Sequence, residues 1–143
     1  MANFYGTSRT NYFKVKDIEA FKAYVDSLPE VTMHGNDEGV CLLAETEDGY
    51  FPSHVYDDIE DGEDEDAGMD NEGRDIDVVS DVSKHLQDGE VAVFMGSGAE
   101  KLRYLDGWAV AIDNKGETVS ISLHDIYEMA EKKFGVKPTF CEF

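Results

Sequence analysis

Lysine and arginine are scarce in this chain: 12 of its 143 residues, against 32 Asp and Glu, for a formal net charge of −20. Basic side chains displace counterions from phosphates, so their scarcity excludes sequence-independent binding to DNA or RNA. The same deficit argues against docking on anionic lipid. No apolar run approaches the roughly 18 residues that a membrane-spanning helix needs. The opening residues, MANFYGTSRTNYF, lack the charged-then-apolar layout of a secretory signal, and a soluble cytoplasmic protein is expected. Cysteine is nearly missing. Cys41 and Cys141 are the two, and without an export signal they are expected as reduced thiols.

What is there suffices for a core. The apolar set AVILMFWYC makes up 41% of the residues, and the length suits one ordinary domain, taken here as 1–143. The charge is unevenly spread. Between Ala23 and Glu100 stand 23 acids and two bases, Arg74 and Lys84, a net of −21; the other 65 residues hold 9 acids and 10 bases, a net of +1. Asp57 to Asp77 (DDIEDGEDEDAGMDNEGRDID) alone carries 12 acids and one base. Charges this dense repel one another, and either a solvated loop or a cationic partner relieves them. An acidic loop or insertion is therefore expected over 57–75.

Periodicity predicts the remaining elements. Alternation around Tyr12, Phe13 and Val15 suggests a strand ending at Lys16. Asp17 then caps a helix from Ile18 to about Leu28, with Ile18, Phe21, Val25 and Leu28 as one buried stripe and Pro29 stopping it. Val31–His34 and Val40–Ala44 read as a hairpin, and Gly49–Tyr56 as an edge strand because Pro52 cannot donate to a ladder. Ile76, Val79, Val82 and Leu86 predict a short helix. Val91–Met95 and Arg103–Asp113 read as strands, followed by the turn Asn114-Lys115-Gly116 and a return strand with Val119, Ile121 and Leu123 facing inward. Ser122 and Asp125 open a last helix that buries Ile126, Met129, Ala130 and Phe134, closed by Gly135. The order predicts an α+β fold: a mostly antiparallel sheet of five to seven strands, about three helices and a long acidic loop.

Catalytic motifs fail on their spacing. Met95–Lys101 (MGSGAEK) lacks the GxxxxGK[ST] of a phosphate loop and reads as a tight turn between strands. An EF-hand aligned on Gly62 puts Ile59 at its third position and Gly68 at its twelfth; aligned on Gly68 it puts Ala67 at the fifth. His34, His54, His85 and His124 form no zinc-like spacing, and Cys41 and Cys141 read as buried or incidental thiols rather than nucleophiles. No enzyme, metal or cofactor is expected.

The acids themselves are the remaining signal. B-form DNA carries one charge per ~1.7 Å of axis, so −21 corresponds to about 36 Å, roughly one helical turn. Carboxylates on one strand face repeat every ~6.7 Å and helix neighbours lie ~5–6 Å apart, close to successive phosphates. Such a surface can fill a groove whose Lys and Arg grip phosphates. The candidate partner-binding residues are Glu45, Glu47, Asp48, Asp57, Asp58, Glu60, Asp61, Glu63, Asp64, Glu65, Asp66, Asp70, Glu72, Asp75 and Asp77.

The blocks Phe4–Asp17 (FYGTSRTNYFKVKD) and Lys101–Glu128 (KLRYLDGWAVAIDNKGETVSISLHDIYE) resemble small acidic proteins carried by phages and plasmids. The composition is similar to that of anti-restriction and anti-CRISPR proteins, several of which are DNA mimics. The resemblance implies an inhibitor in the bacterial cytoplasm whose partner is a basic DNA- or RNA-binding protein, such as a CRISPR effector or restriction enzyme. A second reading is an immunity-type inhibitor of a basic toxin nuclease, with Tyr50, Phe51 and Tyr56 as aromatic anchors beside the acids. A third is a promiscuous acidic protein-binding module.

Overall fold

The computed structural model describes residues 4–55 and 74–141. Its elements in chain order are β1 (Tyr5–Thr10), α1 (Ile18–Asp26), β2 (Val31–Asn36), β3 (Gly39–Ala44), β4 (His54–Val55), β5 (Arg74–Asp75), α2 (Val78–His85), β6 (Val91–Glu100), β7 (Tyr104–Asp113), β8 (Thr118–Ser122) and α3 (Asp125–Phe134). Six strands form one antiparallel sheet in the order β2-β3-β1-β6-β7-β8, and β4 pairs with β5 in a separate two-stranded ribbon. The α+β class with an antiparallel sheet and three helices is the one expected. Residues 57–73 of the expected acidic loop lie outside the described residues, and its last two, Arg74 and Asp75, form β5. Among the described residues no helix is long and apolar enough to cross a membrane.

Local chemistry explains the helices. The Asp17 carboxylate accepts the Glu19 and Ala20 amides at 3.0 and 3.2 Å and so satisfies two donors at the start of α1. Asp77 does the same for the Ser80 amide at the start of α2. From α1, Phe21, Val25 and Leu28 are buried while Ile18 is exposed; from α2 and its end, Val78, Val82 and Leu86 are buried. They pack with Val40 and Leu42 of β3, Ala92 and Phe94 of β6 and Ile112 of β7. The pairing registers put all these strand residues on one face of the sheet. Both helices therefore cover the same face. Buried Thr10 is satisfied there, its Oγ1 accepting the Leu42 amide at 2.9 Å.

The first strand lies earlier than its alternation suggested. Residues Tyr5–Thr10 pair with β3 and β6, whereas Phe13 and Val15 form isolated bridges to Val40 and Leu86. Phe13 exchanges both backbone hydrogen bonds with Val40 at 2.9 Å, so the segment is tied to β3 and to the end of α2 by single bridges rather than by a continuous ladder. The expected strand Gly49–Tyr56 shrinks to His54–Val55. The stretch read as a turn, MGSGAEK, is instead mostly strand: β6 runs through Glu100, and the turn is Lys101–Arg103. Its glycines are close-approach residues. A Cβ on Gly96 would come within 2.7 Å of the Trp108 ring, and Phe4 lies over Gly98.

The largest departures are at the C-terminal end. Val119, Ile121 and Leu123 do not face inward but stand 69%, 67% and 57% exposed. No residue of α3 is buried, and Ile126, Met129 and Phe134 are all more than half exposed. Alternation and helical spacing identify an apolar face correctly, but they do not say whether the chain itself covers it.

One titrating group sits in the helix pair. The His85 ring lies against Tyr24 (5.4 Å between centroids) and Phe21 (5.2 Å). Burial holds its pKa below the usual value, with Asp81 opposing and Lys16 assisting. In the window below the unfolded-state value of about 6.5, the unfolded chain then binds more protons than the folded one, so stability falls as the pH is lowered. Urea unfolding of wild type and His85→Gln between pH 7.5 and 5 checks this. The wild type should lose more stability over that range, and parallel curves would contradict the assignment.

Candidate functional site

Beyond β3 the chain makes a tight loop that presses against the start of β1. Thr46 Oγ1 donates to the Tyr50 carbonyl at 2.6 Å, and Asp48 Oδ1 accepts the Tyr50 amide at 3.0 Å, an Asx turn. Gly49 has φ +81, and its Cα lies so close to the Gly6 carbonyl that no side chain fits between them. The Ser8 hydroxyl donates to the Gly49 carbonyl and fastens the loop to the sheet.

This crossing places Tyr50 in an aromatic stack. Its ring lies parallel to Phe4 (5.6 Å, 4°) and near-parallel to Trp108 (6.5 Å, 21°). Its phenol donates to Asp106 Oδ2 at 2.6 Å. Burial, then the Asp106 hydrogen bond and charge, push the Tyr50 pKa well above its ordinary value, so the phenol remains a donor. Phe51 packs edge-on against core Phe94 (5.3 Å, 77°) and couples the loop to the interior. On the β4–β5 ribbon, His54 Nδ1 lies 3.0 Å from Asp75 Oδ1.

The result is an open cleft of about 770 Å³ lined by Phe4, Glu47, Asp48, Tyr50, Phe51 and His54, among others. Aromatic faces beside exposed carboxylates suit a guanidinium or ammonium group, which gains both cation–π and ionic contacts there. Among the described residues no group of three His, Cys, Asp or Glu could hold a metal ion, and Cys41 and Cys141 are free thiols, one buried and one exposed.

Of the acids picked out in the sequence, Glu47 and Asp48 line the cleft and Glu45 is exposed at the end of β3. Asp75 pairs with His54, and Asp77 is occupied as the cap of α2. Asp57, Asp58, Glu60, Asp61, Glu63, Asp64, Glu65, Asp66, Asp70, Glu72 and the anchor Tyr56 lie outside the described residues. Other acids of the central block stand at the two ends of β6: Glu100 at one, with Asp88 and Glu90 at the other. Within that block, the ion pairs found among the described residues are Asp75 with His54, Asp81 with Lys84 and Glu100 with Arg103. Asp106, Phe4 and Trp108 were not singled out as site residues. The available signal was an acid inside β7, two residues before Trp108 and so on the same strand face.

No protein family, characterised protein or solved structure matches the chain.

Proposed function

We propose that this protein is a DNA-mimicking inhibitor that occupies the basic nucleic-acid groove of a host defence protein, a CRISPR effector or restriction enzyme, and blocks DNA binding. The observation that carries the reading is the ratio of 23 acids to two bases between Ala23 and Glu100. Asp88 and Glu90 at one end of the ten-residue strand β6 and Glu100 at the other set described acids of that block about 33 Å apart, near the length of one turn of duplex DNA. Exposed Glu45 and Glu47 add carboxylates that make no ion pair among the described residues.

The cleft beside these acids also favours a second reading, an immunity-type inhibitor of a basic toxin nuclease, in which Tyr50 and Phe51 contribute shape to a pocket for one cationic anchor.

Pull-down from cells carrying candidate defence systems, followed by displacement of labelled duplexes from the captured protein, separates the two. A mimic displaces duplexes of unrelated sequence from the groove. An immunity-type inhibitor binds one cognate nuclease and leaves part of its DNA binding intact. Neutralising Asp57→Asn, Asp58→Asn, Glu60→Gln and Asp61→Asn together should weaken the mimic about tenfold at low salt, at roughly 0.3–0.5 kcal/mol for each ion pair lost with the partner. The loss should shrink as salt screens the field. Undiminished displacement by that variant, and by one also carrying Glu45→Gln and Glu47→Gln, would discard the reading.

A further inference from the structure

The sheet is apolar on both faces, but among the described residues helices cover only one. On the other face, Thr7 and Arg9 of β1, Met95 and Ser97 of β6, Gly107 and Ala109 of β7, and Ile121 of β8 with Leu123 beyond it line a groove of about 500 Å³. Gly107 and Ala109 make its floor shallow, and Leu123 lies over Gly107. Exposed apolar side chains continue along the chain past the strand. Leu123 accepts the Ile126 amide at 3.2 Å, and Met129 follows one turn later on α3. A ten-residue helix with no buried side chain is marginal in water unless something packs on it.

We propose that a second copy of this chain covers the β6–β8 face and the apolar side of α3, forming a two-fold dimer. Charge selects this occupant. Two molecules of −20 repel over most of their surfaces, yet residues 101–141 hold six bases and six acids. Arg9 of the groove brings this side to +1, so here copies can meet without opposing the net acidic charge. A basic partner gains nothing there, and segment 56–73, with ten acids in 18 residues, would bring uncompensated charge onto apolar surface.

The area is adequate. Met95, Val119, Ile121, Leu123, Ile126 and Met129 are 57–69% exposed. At about 100 Å² per side chain and the usual apolar share of interfaces, they correspond to roughly 1,200 Å² across two copies, the lower bound of stable interfaces, before Phe134 is counted. The copies meet by faces rather than by strand edges. At that edge the Asp125 carboxylate already accepts the outward Ser122 amide of β8 at 2.8 Å and occupies one end of the strand.

Sedimentation equilibrium of the full chain should give a mass rising to twice that of one chain over micromolar to hundred-micromolar loading. Raising salt from 50 to 500 mM should tighten the association, because it screens the −20 charges. An Ile121→Asp, Met129→Asp variant, altered only at exposed positions, should remain at the single-chain mass with unchanged far-ultraviolet dichroism. Hydrogen exchange on the unaltered protein, concentrated against dilute, should protect 118–134 and keeps the test decisive if that variant does not fold. A single-chain mass at every loading, association that salt weakens, concentration-dependent protection mapping to the cleft, or protection of 118–134 independent of concentration would each overturn the proposal. These outcomes bear on the dimer alone and not on the inhibitor reading.

Discussion

Replacing Phe94 by Ala should lower the free energy of unfolding by about 4 kcal/mol, the scale for emptying a closed core of an aromatic ring. Phe94 is fully buried on the covered face of β6, among side chains from both helices and from β3 and β7. Strands in register on either side hold its backbone, leaving little freedom to collapse into the space. It also loses the edge-on contact with Phe51, of the order of 1 kcal/mol for such a pair. A domain of this size has about 5–15 kcal/mol in all, so the urea midpoint should fall by roughly a quarter or more at unchanged slope. Phe94→Leu, which keeps most of the volume, should cost less than half as much. Equal losses for the two would mean that the ring is not tightly enclosed.

The fold was legible where a local cause acts alone. Asp17 followed by Phe21, Val25 and Leu28 marks α1, and Asn114-Lys115-Gly116 marks the β7–β8 turn, because cap, stripe and turn chemistry depend on neighbours in the chain. Legibility ended where the cause is a distant residue. Gly96 and Gly98 have the composition of a turn, and only the arrival of Trp108 and Phe4 turns them into strand positions with room for a ring. Val119 and Ile121 show which side of β8 is apolar, while covering it depends on a third layer that no local pattern encodes. The candidate site divides the same way. Glu47 and Asp48 stand out by charge excess, but Tyr50 acquires its partner Asp106 from 56 residues further on.

The Gly49→Ala substitution tests how the Thr46–Tyr50 loop is held. Gly49 sits at φ +81, where an L side chain costs ~1–2 kcal/mol, and a Cβ there would overlap the Gly6 carbonyl of β1. That carbonyl cannot retreat without disturbing the pairing of Gly6 with Gly98, so overpacking adds roughly 1–3 kcal/mol and the total is about 3 kcal/mol. Gly89 is the control. Its φ is +83 but nothing lies within 4 Å of a Cβ, so Gly89→Ala should show the conformational cost alone. The cheapest relaxation for Gly49→Ala is to lift the loop, breaking the Ser8 hydroxyl bond to the Gly49 carbonyl and drawing Tyr50 away from Asp106. The Tyr50 phenol should then ionise at lower pH than it does in the unaltered protein, which alkaline difference absorbance reads directly. The lifted loop also carries Glu47 and Asp48, so under the proposed inhibitor function displacement of DNA from the partner should weaken in Gly49→Ala and remain unchanged in Gly89→Ala. If both alanine variants behave alike in stability and in tyrosine titration, the close crossing of Gly6 and Gly49 is not what builds the cleft.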